Sequence, residues 1–325
     1  MSDVVVGVDL GGTKIAAAPV EPGGGVGTVR QLPTPARRGP AAVLDAVAAL
    51  ITQVAGPTSE ASGRVRGIGI GTAGVVHAGN GRILSATDAL SGWAGTDVRS
   101  GIHSRVQDAF GAVPVTVEND VDAHAAGEAW RGAAAGARSA LLVAIGTGVG
   151  AALVLEGQPL RGAHHVAGEM GHLPSPEAAG LRCGCGRTGH LEAIASGPAL
   201  HRQYLRLGGP ADVPDAREVY QRAAAGEGLA RQVLSTAATA AGRAIAGVSM
   251  ILDPETVVVS GGLGQAGEWW WEPMIRAARD ELIEPLADLD IRAAALGSRA
   301  AILGAARTCW DVLGAGGIEV GSSPS

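Results

Sequence analysis

Val4-Val5-Val6-Gly7-Val8-Asp9-Leu10-Gly11-Gly12-Thr13-Lys14-Ile15-Ala16-Ala17-Ala18-Pro19-Val20 opens the chain as strand, turn and strand. Residues 4–9 are apolar and rich in β-branched side chains, which suit a buried, pleated strand. The run stops at Leu10-Gly11-Gly12-Thr13, and residues 14–20 resume an apolar segment, so the pair reads as a β-hairpin about a Gly-Gly turn. The Ala-rich second arm is also open, by composition, to a helix. The same design returns about 137 positions further on: residues 141–145, the turn Gly146-Thr147-Gly148-Val149-Gly150, and residues 151–155. Two such units predict a duplicated architecture with a cleft between the copies.

Between and after the hairpins, strands and helices alternate. Residues 41–54 carry apolar side chains at helical spacing, and 67–70 read as a buried strand ending in Gly71-Thr72-Ala73-Gly74. A strand at 113–117 delivers Glu118-Asn119-Asp120 to the head of a helix at 121–130. A long Ala-rich helix at 230–251 precedes a buried strand at 257–259, which ends in Ser260-Gly261-Gly262-Leu263-Gly264. A last helix spans 300–313, a Gly/Ser tail that reads as disordered spans 314–325, and 33–40 read as a surface loop or linker. This alternation implies mixed α/β sheets, and 325 residues suffice for roughly two domains. With 51 glycines and aromatics at only 3%, the cores must be aliphatic. The net charge of −6, with no basic stripe, argues against nucleic acid as a partner. No apolar run reaches the ~18–20 residues of a membrane span, and three cysteines do not make a disulfide framework. The chain reads as soluble and cytoplasmic.

The glycine turns point to phosphate. Glycine lets backbone N–H groups approach an anion closely. Asp9-Leu10-Gly11-Gly12-Thr13-Lys14 adds a hydroxyl donor at Thr13 and a carboxylate at Asp9 that can orient Mg²⁺ or its waters. Gly146-Thr147-Gly148 can serve another part of a polyphosphate, and Gly261-Gly262 leaves a flat surface for an adenine. Ligands of α/β sheets bind at the C-terminal ends of strands, where these turns fall. Neither a P-loop nor a dinucleotide fingerprint is present. The stretch 168–192, Gly-Glu-Met-Gly-His through Cys-Gly-Cys-Gly-Arg-Thr-Gly-His-Leu-Glu, gathers Glu169, His172, Cys183, Cys185, His190 and Glu192. Thiolate and imidazole at such spacing can close a tetrahedral zinc site. The two carboxylates are then free for a polar ligand rich in hydroxyls.

These motifs resemble the ROK family (repressors, open reading frames and sugar kinases) of the actin/hexokinase-like ATPase superfamily, over residues 4–310. Asp9-Leu10-Gly11-Gly12-Thr13-Lys14 is similar to its first phosphate motif, Gly146-Thr147-Gly148-Val149-Gly150 to its second, and Gly261-Gly262 to its adenosine motif. Glu118-Asn119-Asp120, Gly168-Glu169-Met170-Gly171-His172 and the Cys-x-Cys-Gly-x-x-Gly-x-x-Glu run resemble its sugar and zinc motifs. The resemblance implies two RNase H-like α/β domains with mixed sheets around a central cleft. The smaller would hold residues 1–118 plus about 300–320, and the larger 119–299 with the zinc loop. It implies Asp120 as general base, and Asn119, Asp120, Glu169, His172 and Glu192 as sugar-binding residues. It also implies zinc on His172, Cys183 and Cys185, with His190 where the family has a third cysteine.

A sugar hydroxyl ionises far above neutrality, so attack on a γ-phosphoryl is helped by a carboxylate that accepts its proton. The bland use of Asp120 is as the N-cap of the following helix. His164 and His165 read as loop-surface groups, Trp269-Trp270-Trp271 as packing or subunit contact, and Cys309 as merely buried. The family contains kinases and sugar-responsive repressors with a DNA-binding extension. Only eight residues precede Asp9, so a kinase is expected over a non-catalytic regulator. The stretch from Leu84 to Trp93 resembles the N-acetylmannosamine kinase branch, with Thr87 on the sugar, as does Glu-Ala-x-Ala-Ser-Gly at 192–197. The expected reaction is phosphorylation of the 6-hydroxyl of a hexose or N-acetylhexosamine, N-acetylmannosamine before glucose. ATP with catalytic Mg²⁺, structural Zn²⁺ and a homodimer or homotetramer complete the expectation.

Overall fold

The computed structural model describes residues 3–55 and 63–316. The chain divides into two compact units: Met1–Ala135 with Arg161–Val166 and Ser298–Ser325, and Gly136–Leu160 with Ala167–Gly297.

In the first unit the opening run forms β1 (Asp3–Leu10) and β2 (Lys14–Val20), paired antiparallel with Leu10 opposite Ile15. The second arm is a strand, because its alanines are buried in the sheet. β3 (Arg30–Pro33) adds on the outside, and α1 (Gly39–Ala55) packs its valines and leucines beneath. β4 (Arg64–Thr72) runs parallel to β1, and a small hairpin, β5 (Val75–His77) and β6 (Arg82–Ser85), follows. After α2 (Val98–Phe110), β7 (Val115–Asn119) joins β4 in parallel and leads straight into α3 (Asp120–Arg131). The sheet order is β3-β2-β1-β4-β7.

The second unit repeats this plan. β8 (Ser139–Ile145) and β9 (Val149–Leu155) form its hairpin, and the short β10 (Gln158–Pro159) lies outside β9. Four helices follow a long loop: α4 (Glu192–Ala195), α5 (Gly197–Arg206), α6 (Ala216–Ala224) and α7 (Gly228–Leu252). β11 (Thr256–Ser260) pairs parallel to β8, α8 (Glu268–Glu281) crosses over, and β12 (Asp290–Ala293) pairs parallel to β11. The order β10-β9-β8-β11-β12 reproduces the first sheet, antiparallel pairs on one side and parallel pairs on the other. The hairpin repeat in the sequence was thus the visible part of a repeated five-stranded sheet.

The last helix, α9 (Ala300–Gly316), belongs to the first unit and packs against α3, β1 and β4. The boundary expected at 118/119 would cut α3 from that unit. A Cβ on Gly304 would sit 1.7 Å from the Ala123 carbonyl oxygen, so α3 and α9 meet backbone to backbone and stay together. Of the expected tail, Gly314–Gly316 continue α9 and the rest lies outside the described residues. Cys309 is buried, as expected. The three tryptophans open α8 and pack as expected. Trp270 is fully buried, Trp271 donates to the Gly264 carbonyl at 2.9 Å, and Trp269 lies beneath the Arg231 guanidinium at 3.7 Å. Among the described residues no helix is long and apolar enough to cross a membrane.

Candidate functional site

Asp9 is the penultimate residue of β1, and the chain then turns through Gly11, Gly12 and Thr13 into Lys14. The Gly11 N–H donates to the Lys14 carbonyl at 3.0 Å, and Thr34 fastens the turn from outside. Its hydroxyl donates to the Gly11 carbonyl at 2.7 Å and its N–H to the Thr13 carbonyl at 3.0 Å. A Cβ on Gly12 would come within 3.2 Å of the Ala89 Cβ, so the turn packs on the loop that carries the exposed Thr87.

Asp120 begins α3, but the N-cap is Asn119. The Asn119 Oδ1 accepts from the N–H groups of Val121 (2.8 Å) and Asp122 (3.3 Å), and its amide donates to the Gly74 carbonyl (3.0 Å). That arrangement relieves Asp120 of the capping duty the sequence allowed it. The Asp120 carboxyl still accepts from the Val121 N–H at 3.0 Å. Burial raises its pKa above the usual aspartate range, against hydrogen bonds from Val121, its own N–H and Asn119 that favour the anion. Burial, and then the charge of Asp120, push Asp9 up to about 6, with Lys14 pulling the other way. Two neighbouring carboxyls that resist ionisation make a set of hard oxygens suited to Mg²⁺.

In the second unit the Gly146 N–H donates to the Gly148 carbonyl at 2.9 Å, and the Gly146 carbonyl accepts from the Gly197 N–H at the head of α5 at 2.8 Å. Gly261, just past β11, has φ +87, and a Cβ there would lie 2.3 Å from the Ile145 carbonyl oxygen. Only glycine allows the two strand ends to close up in this way. Beside them lies a cavity of about 680 Å³, lined by Gly146, Thr147, Gly197, His201, Tyr220 and Gly262 among others. Its size falls in the ordinary range for small-ligand sites. The sequence reading missed His201 and Tyr220, which carry no local motif. It also missed Asp215, whose signal was available: an Asp that caps α6 by accepting from Arg217 (2.9 Å) and Glu218 (3.1 Å).

The stretch 168–192 folds over the same sheet. Gly168 has φ +89, and its carbonyl accepts from the Ala151 N–H of β9 at 2.8 Å. A side chain at Gly168 would strike the Ala151 carbonyl at 1.9 Å. Glu169 then leads into a single 3₁₀ turn, Met170–His172. The loop's second arm is zipped to the first, with Leu191 N–H on the Leu173 carbonyl and Ser175 N–H on the Gly189 carbonyl, both at 2.9 Å. The Glu192 Oε2 accepts from the Val149 N–H at 3.1 Å, which ties this carboxylate to the turn after β8.

His172, Cys183, Cys185 and His190 converge, each with one donor atom within 4.8 Å of all the others. Cys183 Sγ lies 3.6 Å from His172 Nδ1, and Cys185 Sγ lies 3.2 Å from His190 Nδ1. Two sulfurs and two imidazole nitrogens gathered within 4.8 Å make a donor set of the type that suits Zn²⁺. Burial pushes the Cys183 thiol up to about 11, with the Cys185 thiol and the Glu192 charge adding to it. A cation bound there would take the place of its proton. The Nε2 of His172 lies 3.7 Å from the Glu169 Oε2, so the ring's two nitrogens face different partners.

His164 is exposed as expected, whereas His165 is half-buried. Its ring packs on His77 with centroids 4.4 Å apart, and its backbone has φ of +60. Glu118 is also buried and is paired with Arg161 at 2.8 Å, a partner the sequence did not suggest.

The chain is 32% identical to a glucokinase of Halalkalibacterium halodurans over 317 residues, 92% of each chain. It is 31% identical to an N-acetylmannosamine kinase of Shigella flexneri over 263 residues, 81% of this chain and 84% of that one. The crystal structure of a ROK family glucokinase from Streptomyces griseus, in complex with glucose and AMPPNP, matches with a TM-score of 0.78 at 30% identity. That match covers 95% of this chain and 99% of the other. The family model described as "ROK family" matches residues 5–311, nearly the whole of both units, and the chain belongs to the ROK family.

Proposed function

We propose that this protein is an ATP-dependent sugar kinase that transfers the γ-phosphoryl group to the 6-hydroxyl of a hexose or N-acetylhexosamine. The observation that carries the reading is Asp120: a partly buried carboxyl at a strand end, freed of the helix cap by Asn119 and held reluctant to ionise. A carboxylate of raised basicity is what a proton acceptor for an alcohol needs. Asp9, Gly11, Gly12, Thr13 and Lys14 serve the phosphates, with Asp9 orienting Mg²⁺, which when bound neutralises charge on the transferring group. Gly146, Thr147, Gly148, Gly261 and Gly262 border the cavity or its adjoining turns and serve the nucleotide. The glucokinase solved with AMPPNP supports ATP as donor.

Asn119, Glu169, His172 and Glu192 hold sugar hydroxyls. His172, Cys183, Cys185 and His190 hold a structural zinc ion, which fixes the His172 ring so that Nε2 meets the sugar. N-acetylmannosamine is the favoured substrate and glucose the next, with Thr87 touching the sugar. The enzyme works in the cytoplasm as a homodimer or homotetramer. A coupled assay of ADP formation with N-acetylmannosamine, N-acetylglucosamine and glucose tests the reading. Sugar-dependent turnover is expected, and its absence across the panel would leave a non-catalytic sugar sensor.

A further inference from the structure

Six residues between β10 and the Glu169 turn, Arg161–Val166, pack with the first unit, although the chain on either side of them belongs to the second. The first of the six, Arg161, reaches two carboxylates that flank the Asn119-Asp120 junction. Its Nη2 donates to Glu118 Oε2 at 2.8 Å, and its Nη1 lies 3.7 Å from Asp122 Oδ2. Glu118 is the last residue but one of β7, and Asp122 stands in the first turn of α3. One guanidinium thus spans the strand end just before the junction and the helix turn just after it. The segment is held again near its other end, where His165 packs on His77.

The pair is poorly explained as a device for stability. Glu118 is 1% exposed, and a buried ion pair often adds little over an apolar pair of the same shape, because both charges lose their water. Of the two Glu118 oxygens only Oε2 takes part in the ion pair, and the Thr308 hydroxyl stands beside the carboxyl. A forked, planar cation does impose direction, since two N–H groups fix the line between two acceptors.

We infer that Arg161 is a positioning residue for phosphoryl transfer: by clamping the β7–α3 junction from both sides, it fixes the direction of the Asp120 carboxylate toward the acceptor hydroxyl. The inference rests on the kinase reading above. Arg161 touches no reacting atom and acts through Glu118 and Asp122.

The test compares the full-length protein with Arg161→Met and Arg161→Lys, in kcat and KM for sugar and for ATP, with circular dichroism as a check of folding. If the unaltered protein shows no sugar-dependent turnover, the kinase reading fails and this inference falls with it. If it turns over, Arg161→Met is expected to lose about tenfold to hundredfold in kcat with both KM values within about twofold, the mark of misaligned reacting groups. Arg161→Lys, which keeps the charge but cannot fork, should recover only part of that loss. A kcat for Arg161→Met within about twofold of the unaltered value, or a loss that tracks the unfolded fraction, overturns the inference. Should Arg161→Met fail to fold, Asp122→Asn removes one arm of the clamp and leaves the buried pair intact. A fall of about threefold or more in kcat at constant KM supports positioning, and an unchanged kcat refutes it.

Discussion

Asp120 and Asp9 are two carboxyl groups whose protons are held more tightly than in water, and the direction of that shift has consequences of opposite sign for activity and stability. In the proposed role of general base Asp120 works ionised, so turnover should fall on the acid side with an apparent pKa above the ~3.9 of free aspartate. The charge of Asp120 in turn raises the Asp9 pKa, so the two titrations are read together. Asp120→Asn should cut kcat by about 10²–10⁴ with sugar binding largely kept, read by steady-state kinetics and by calorimetric titration with the sugar. Near-normal turnover would remove Asp120 from the role. Stability runs the other way. The folded protein holds a proton on Asp9 up to about pH 6 that the unfolded chain releases near 4, so the ligand-free protein should lose stability as pH rises through that window. Asp9→Asn should flatten this slope in melts taken from pH 4 to 7. Asp120 was legible in the sequence because a Glu-Asn-Asp after an apolar run is a local pattern. That Asn119, and not Asp120, caps α3 was not legible, since both residue types cap well and only the backbone decides between them.

At the scale of elements, the loop over β9 gathers a donor set from two arms and turns on one backbone shape. Gly168→Ala would force a side chain into a left-handed conformation and onto the Ala151 carbonyl. A loss of about 2–4 kcal/mol in denaturant unfolding is expected. If the four donors hold zinc as proposed, removing it with a strong chelator should raise the sugar KM and lower Tm, because His172 would lose the partner that fixes its ring. Unchanged kinetics after complete removal would detach the metal from sugar binding. His190→Ala should lower the zinc content measured by mass spectrometry, and His190→Cys should restore it. The four donors were readable because they lie close in sequence. Other elements were not. α2 shows only Val98, Ile102 and Val106 as its buried stripe, interrupted by polar residues and Gly101. α8 opens with three tryptophans and contains Pro273, a composition that disguises a helix.

Across the whole molecule, the two sheets share one strand order, and the chain's last helix returns to the sheet its first strand began. The repeat of the hairpin was visible in the sequence because its buried strands are nearly continuous apolar runs. The seat of α9 was not visible, because it depends on glycines within a strand, where sequence patterns signal only weakness or a bulge. Gly69 in β4 shows what those glycines do: a Cβ there would stand 1.9 Å from the Ala305 carbonyl oxygen, so the sheet and the α9 backbone touch with no room for a methyl group. Gly247 in α7 makes the matched comparison, since a Cβ there meets nothing within 4 Å. Gly69→Ala should cost at least about 2 kcal/mol, through displacement of α9 from β4. Gly247→Ala should add about 0.5–1 kcal/mol through helix propensity alone. Urea unfolding of both variants, followed by circular dichroism, reads the two effects separately. If Gly69→Ala unfolds like the unaltered protein, α9 does not sit on the sheet at the distance that requires glycine, and the union of the chain's two ends rests on side-chain packing alone.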